Sequence, residues 1–213
     1  MKPALAVLVL LPVLALAACG GDGSDVAVDP APSASSTQPP AAPTAPGRVS
    51  TRGLVTVMDT GPSGEGPELC LGPVAESYPP QCSGPSITNW DWSEHRGIFE
   101  KVGDVRWGQF AVTGTWDGSA FTADGAIAAA LYDALPTEPS PTPPPPLRQH
   151  TDEELEQIAQ EVSTLPGAQG SYVADRQVFV DVAYDDGSLQ EFVDATYAAN
   201  TVVVTSMLVD LDD

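Results

Sequence analysis

Several residues in this chain have types and spacings that suggest chemistry. Asp59-Thr60-Gly61 follows an apolar run, the setting of a catalytic aspartate, but acid proteolysis needs two carboxylates sharing one proton about 3 Å apart. No second Asp-Thr-Gly or Asp-Ser-Gly occurs in the sequence, so only a symmetric dimer would supply the pair. Cys70 and Cys82 bound the stretch CLGPVAESYPPQC, and their spacing by itself fits a disulfide, half of a metal site, or a nucleophile with a bystander. Trp90 and Trp92 in NWDW are alternate residues; on a strand they would share one face, as a candidate ligand platform for stacking a sugar ring, or fill a core. The two histidines, His95 and His150, have no nucleophile motif nearby and are expected to be exposed. Asp185, Asp186, Asp210, Asp212 and Asp213 form a candidate acidic patch, suited to a basic partner or divalent cations if it does more than confer solubility. There is no glycine-rich phosphate loop and no His-Glu-x-x-His, and the sequence calls for no cofactor, no metal and no catalytic set.

Charge narrows the partners. The chain carries 29 acids against 8 lysines and arginines, a net charge of −21. Residues 147–213 alone hold 14 acids against Arg148 and Arg176. Nucleic acid would be repelled rather than gathered, and so would an anionic lipid surface.

The first eighteen residues, MKPALAVLVLLPVLALAA, place Lys2 before an apolar run. At about 15 residues the run is too short to span a bilayer, which needs roughly 20, and it fits the hydrophobic part of a secretory signal peptide. It ends in Leu16-Ala17-Ala18-Cys19, which resembles the lipobox of bacterial lipoprotein signal peptides. The resemblance implies cleavage before Cys19, a thioether lipid on its sulfur and a palmitate-type acyl chain on the new N-terminus. Two or more chains anchor stably, so the expected location is the extracytoplasmic face of a cell membrane. In that oxidising setting, with Cys19 carrying lipid, Cys70 and Cys82 are an even pair and are read as a disulfide. Closing their loop would contribute on the order of 3 kcal/mol on the chain-entropy account. Zinc would want four ligands at recognisable spacings, and a reactive thiolate would want positive neighbours where the sequence offers Glu68 and Glu76.

The elements that must position these residues follow from composition and periodicity. Residues 19–47 have few large apolar side chains and are expected to be a lipidated, disordered tether. PTEPSPTPPPP marks a Pro-rich linker over 134–146. Between them, 48–133 alternates with period two in GLVTVMD, ELCLG and GQFAVTGTWDGSAFTAD, the last turning at Asp117-Gly118. About five strands are expected, closed as a small barrel. VTGTWDGSAFTADGAI resembles the fourth and fifth strands of an OB-fold, so the region is read as an OB-like β domain, with an open sandwich as the alternative.

Residues 147–213 are read as an α+β domain of order α-β-β-α-β. Thr151-Asp152-Glu153-Glu154 is a capping box, and Leu155, Ile158, Ala159, Val162 and Leu165 follow at helical spacing before Pro166-Gly167. SYVAD and QVFVDVAYD pair as a hairpin through Arg176. Leu189, Phe192, Val193 and Tyr197 mark a second helix, and TVVVTSMLVDL reads as one final strand. Two helices on one face of a three-stranded sheet would bury these stripes, much as in a ferredoxin-like fold lacking its first strand.

The modules ELCLG…ESYPPQC…WDW and YDDGSLQ…VVVTS resemble those of a group of uncharacterised bacterial lipoproteins, and that resemblance implies no activity. The functional expectation is a lipid-anchored, non-enzymatic binding module for an envelope protein or glycan. The alternatives are an accessory or inhibitory regulator of a neighbouring envelope enzyme, and a hydrolase.

Overall fold

Residues 38–62, 64–133 and 142–211 are described in this computed structural model. The signal peptide, Cys19, the tether up to residue 37, residues 134–141 of the linker, and Asp212 and Asp213 lie outside the described residues. In chain order the elements are β1 (Arg48–Thr51), β2 (Val55–Asp59), β3 (Pro67–Cys70), β4 (Ser86–Thr88), β5 (Glu100–Val102), β6 (Val105–Trp116), β7 (Ala120–Ala128), α1 (Asp152–Val162), β8 (Ala168–Ala174), β9 (Gln177–Val182), α2 (Ser188–Tyr197), β10 (Val202–Ser206) and β11 (Leu208–Asp210).

Strands β2, β3, β4, β7 and β6 pair in that order, and β6 pairs again with β2, closing a five-stranded barrel. The β4–β7 pair is parallel and the others in the ring are antiparallel. Closure removes the open edges that a flat sheet would expose. Long strand β6 makes it possible. Its residues Arg106–Phe110 face β2, and its later residues face both β7 and the added strand β1. Along β6, Phe110, Val112, Gly114 and Trp116 are buried at period two, the alternation expected of a strand with one face in a core. At Gly114 a side chain would collide with the Thr122 carbonyl, and the β6–β7 register shifts at that point. The hairpin then turns where the sequence reading placed it. Gly118 has φ +94°, and the Asp117 carboxylate accepts from the N–H groups of Ser119 and Ala120.

The segment read as tether is docked to the barrel near its end. The Trp116 indole donates to the Pro43 carbonyl, and the Ala45 N–H donates to the Trp116 carbonyl. A buried indole N–H must find an acceptor, and composition alone gives no sign of that demand.

The α+β region follows its sequence pattern closely. Thr151 and Glu154 form the reciprocal capping box at the start of α1. Asp175 and Arg176 both have positive φ, as a two-residue hairpin turn requires. The sheet order is β10-β9-β8, with β10 parallel to β9. Val178, Val180 and Val182 of β9 share a core with Leu155, Ile158 and Val162 of α1 and with Leu189 and Val193 of α2, so both helices lie on one sheet face. Tyr172 and Phe179 stack on the opposite face. The outer edge of β10 is covered by Gln190, whose side-chain amide donates to the Val202 carbonyl and accepts from the Val204 N–H.

One expectation fails at the C-terminus. TVVVTSMLVDL is not a single strand of the α+β region: it breaks at Met207, and β11 pairs antiparallel with β1 in the barrel's sheet. Ala183, Tyr184 and Leu208 accordingly belong to the barrel's hydrophobic core. The change of sheet is invisible in the sequence because both strands are apolar and β-branched.

Candidate functional site

Asp59 ends β2 at an inward position in phase with Val55 and Val57 and is 7% exposed. A carboxylate there needs partners, and three donors supply them. The Gly61 N–H donates to Oδ1 at 2.8 Å, the Trp92 indole N–H donates to Oδ2 at 3.0 Å, and Arg106 Nη2 lies 3.3 Å from Oδ2. Strand pairing puts Arg106 directly opposite Asp59. The Arg106 guanidinium carbon also sits 5.9 Å from the Trp92 ring centre, within cation–π range.

Trp92 is held by the segment joining β4 to β5. Asn89 has φ +58° and its amide donates to the Ala123 carbonyl, and a 3₁₀ turn over Trp92–His95 is capped by Asp91. The Ser93 backbone N–H and hydroxyl both donate to the Asp91 carboxylate and pull its pKa below the ordinary value. The segment is therefore a turn and not a strand, so Trp90 and Trp92 do not share a strand face as a platform, and Trp92 takes the alternative of core filling. The two rings meet edge to face at 5.6 Å and 81°. Trp92 is buried in the barrel core, with Phe99 packed 5.0 Å away, while Trp90 is half-buried against it.

His95 is not an exposed bystander either. Its ring stacks on Trp90 at 4.3 Å and lies 4.9 Å from Phe110. Burial lowers its pKa, against the opposing pull of Glu94 and Asp91. The His150 side chain is 7% exposed, with Nδ1 3.8 Å from Glu154.

Asp59, Trp90, Trp92, Arg96, Phe99 and Arg106 line a shallow, open cavity of about 460 Å³. A larger groove of about 580 Å³ runs beside Val74, Ile98 and Trp107, with Thr56, Glu100 and Gln109 as its polar side chains. The smaller cavity is the better candidate because it gathers three aromatic side chains and two arginines. Trp90 Nε1 and Arg106 Nε are buried without a hydrogen-bond partner among the described residues. Such a group typically costs about 1–3 kcal/mol, so each asks for an explanation. Arg106, Arg96 and Phe99 were missed in the sequence reading. The available signal was Asp59 itself, a carboxylate on the inward side of an apolar strand.

The remaining sequence candidates are placed as follows. Cys70 and Cys82 form a disulfide, with Cα atoms 5.9 Å apart. Cys70 packs with Met58 and Trp107, and Tyr78 from the closed loop meets Trp107 edge-on at 5.3 Å. The described acids of the candidate patch, Asp185, Asp186 and Asp210, each hold a local hydrogen bond. Asp185 accepts from the Leu189 N–H and Asp186 from the Ser188 N–H at the start of α2, where carboxylates suit the positive helix end. Asp210 accepts from the Tyr184 hydroxyl, whose pKa is pushed up to about 12 by burial and by that carboxylate. Among the described residues no three His, Cys, Asp or Glu side chains are grouped to hold a metal ion.

No family model, curated protein or solved structure matches the chain.

Proposed function

We propose that this protein is a lipid-anchored binding module on the extracytoplasmic face of a cell membrane, and that its barrel engages an envelope glycan through the Trp90–Arg106 cavity. The observation that carries the reading is the cavity's composition: aromatic rings beside oriented donors, the combination that grips a sugar by its C–H face and its hydroxyls. Lipidation of Cys19 would supply the anchor and residues 20–37 part of the reach.

An OB-like identity for the barrel is supported by its strand order. Taking β2, β3, β4, β6 and β7 as strands one to five, the ring runs 1-2-3-5-4 with a parallel pair between three and five. OB-folds include oligosaccharide binders, but the fold is not the argument for function; the cavity is.

The test is retention of the full mature chain on insoluble envelope polysaccharide, alongside a Trp90→Ala variant checked for native melting. Retention by the wild type and its loss in the variant is expected. Equal retention of both, or of neither, overturns the glycan reading. Membrane fractionation of Cys19→Ala tests the anchor: release from the membrane fraction is expected, and full partitioning with membranes overturns the lipidation.

A second reading, an accessory regulator of an envelope enzyme, has one observation in its favour. Tyr172 is 53% exposed and stacks on Phe179 on the sheet face away from the helices, an apolar surface suited to a protein neighbour. If this reading holds, Tyr172→Ser would abolish binding of that neighbour while leaving glycan retention intact.

A further inference from the structure

The cavity beside β2 and β6 carries an exposed guanidinium, that of Arg96, at its rim. Its buried acceptor, Asp59, already receives three hydrogen bonds or ionic contacts, and the Asp91 carboxylate is committed to Ser93. On the donor side, a guanidinium presents five N–H groups in a planar fork. Arg106 directs one nitrogen at Asp59. Arg96 is exposed on the cavity rim, and no ion pair of Arg96 within 4 Å is found among the described residues.

From the Arg96 fork we infer that the cavity is selective for a carboxylate-bearing saccharide, a uronic-acid type of sugar, whose carboxylate takes that fork while its ring lies against Trp90 and Phe99. The inference rests on the glycan reading above and narrows it. A neutral sugar would leave the Arg96 fork without its matching planar acceptor. A doubly charged phosphate fits the fork but meets more repulsion from a chain of net charge −21. A single carboxylate carries the smallest anionic charge that uses the fork. The lining is close to neutral, with Arg96 and Arg106 set against Asp59 and Asp91. Attraction is therefore short-range, and the fork, not a long-range field, makes the selection.

The experiment is calorimetric titration of the full mature chain with two probes, a glucuronate-containing disaccharide and its all-neutral glucose counterpart. Wild type, Arg96→Gln and Arg148→Gln are compared. Arg148 is exposed on the α+β region and controls for loss of any one positive charge. The wild type is expected to prefer the acidic probe by about tenfold or more, the ratio that one charge-assisted hydrogen-bond fork provides. Arg96→Gln should bring the ratio near one, and Arg148→Gln should leave it unchanged. Equal binding of both probes by the wild type overturns the carboxylate selection while leaving the glycan reading intact. A preference that survives in Arg96→Gln overturns the assignment to Arg96, and one lost equally in Arg148→Gln reduces it to general charge. Failure of both probes to bind overturns this inference, and the polysaccharide retention test then decides the broader reading separately.

Discussion

The barrel and the α+β region solve the same problem, burying an apolar core without stranding polar groups, by opposite means. In the α+β region the helix starts and the β10 edge are served by partners near in sequence. Thr151 and Glu154 cap α1, Asp185 and Asp186 serve the first turn of α2, and Gln190 covers the β10 edge twelve to fourteen residues away. In the barrel several key partners are distant. Asp59 meets Trp92, Arg48 grips Asp124 through two nitrogens, and Trp116 donates back to Pro43. Local pairing leaves its signature in a short window of sequence. Closure of a barrel does not, because each strand's neighbours are set by ring geometry. The difference also teaches where the candidate site forms: the cavity lies where long-range partners converge.

The two regions meet at β11, and the largest expected effect is there. Leu208 is fully buried in the barrel core although the chain reaches it from the α+β region. Leu208→Ala should cost about 2–5 kcal/mol, a fall in midpoint on the order of 10 °C. All four tryptophans belong to the barrel and both described α-helices to the other region, so fluorescence and helical circular dichroism report them separately. Both signals should shift together. Movement of one alone would mean that β11 does not couple the regions.

The disulfide comes next. Removing it with Cys70→Ser/Cys82→Ser should cost about 2–3 kcal/mol, somewhat below the loop-entropy figure because Pro73, Pro79 and Pro80 already restrict the open loop. Thiol titration of the mature wild type should find no free thiol before reduction and two after reduction and unfolding. Free thiol at the start would remove the crosslink from the barrel's side of the comparison.

A smaller change sharpens the local side. Gln190→Ala removes two hydrogen bonds to β10, a loss of about 1–2 kcal/mol. It should speed amide exchange at Val204 while leaving the tryptophan emission of the folded state unchanged. Altered emission would show that the edge of β10 is felt inside the barrel.

The smallest effect is a pH slope. Burial holds the His95 pKa below its ordinary 6.5, with Asp91 and Glu94 pulling the other way. The unfolded chain then binds the proton more readily than the folded one. Stability is complete above about pH 6.5 and declines as pH falls toward the lowered value. His95→Phe keeps the ring contact with Trp90 and Phe110 but cannot titrate, so its midpoint should fall less between pH 7 and 5. An identical slope in both proteins would place His95 outside the folded packing.

Much of the α+β region was legible because its signals are short-range. The capping box, the helical stripes and the valines of β9 each sit within one window. In the barrel, period-two alternation and Asp117-Gly118 identified strands and a turn, and Gly114 is explained by the close approach of β7. Trp90 and Trp92 drew attention by type, but their arrangement was misjudged because Asn89 and the Asp91 cap turn the chain where a strand was expected. Asp59 was weighed as a catalytic group, whereas its setting is a buried acceptor fixed by Trp92 and Arg106.

The sequence by itself determined both helices, most of the strands and the main hairpin turns, because backbone preference, amphipathic period and short loops act over a few residues. Only the tertiary structure decided that β11 leaves its own region for β1, that Pro43 answers Trp116, and that Asp59, Trp92 and Arg106 converge beside a cavity. Those contacts join groups 33 to 161 positions apart. The physical reason is that a polar group withdrawn from water takes whichever partner closure brings near, and closure belongs to the whole sheet.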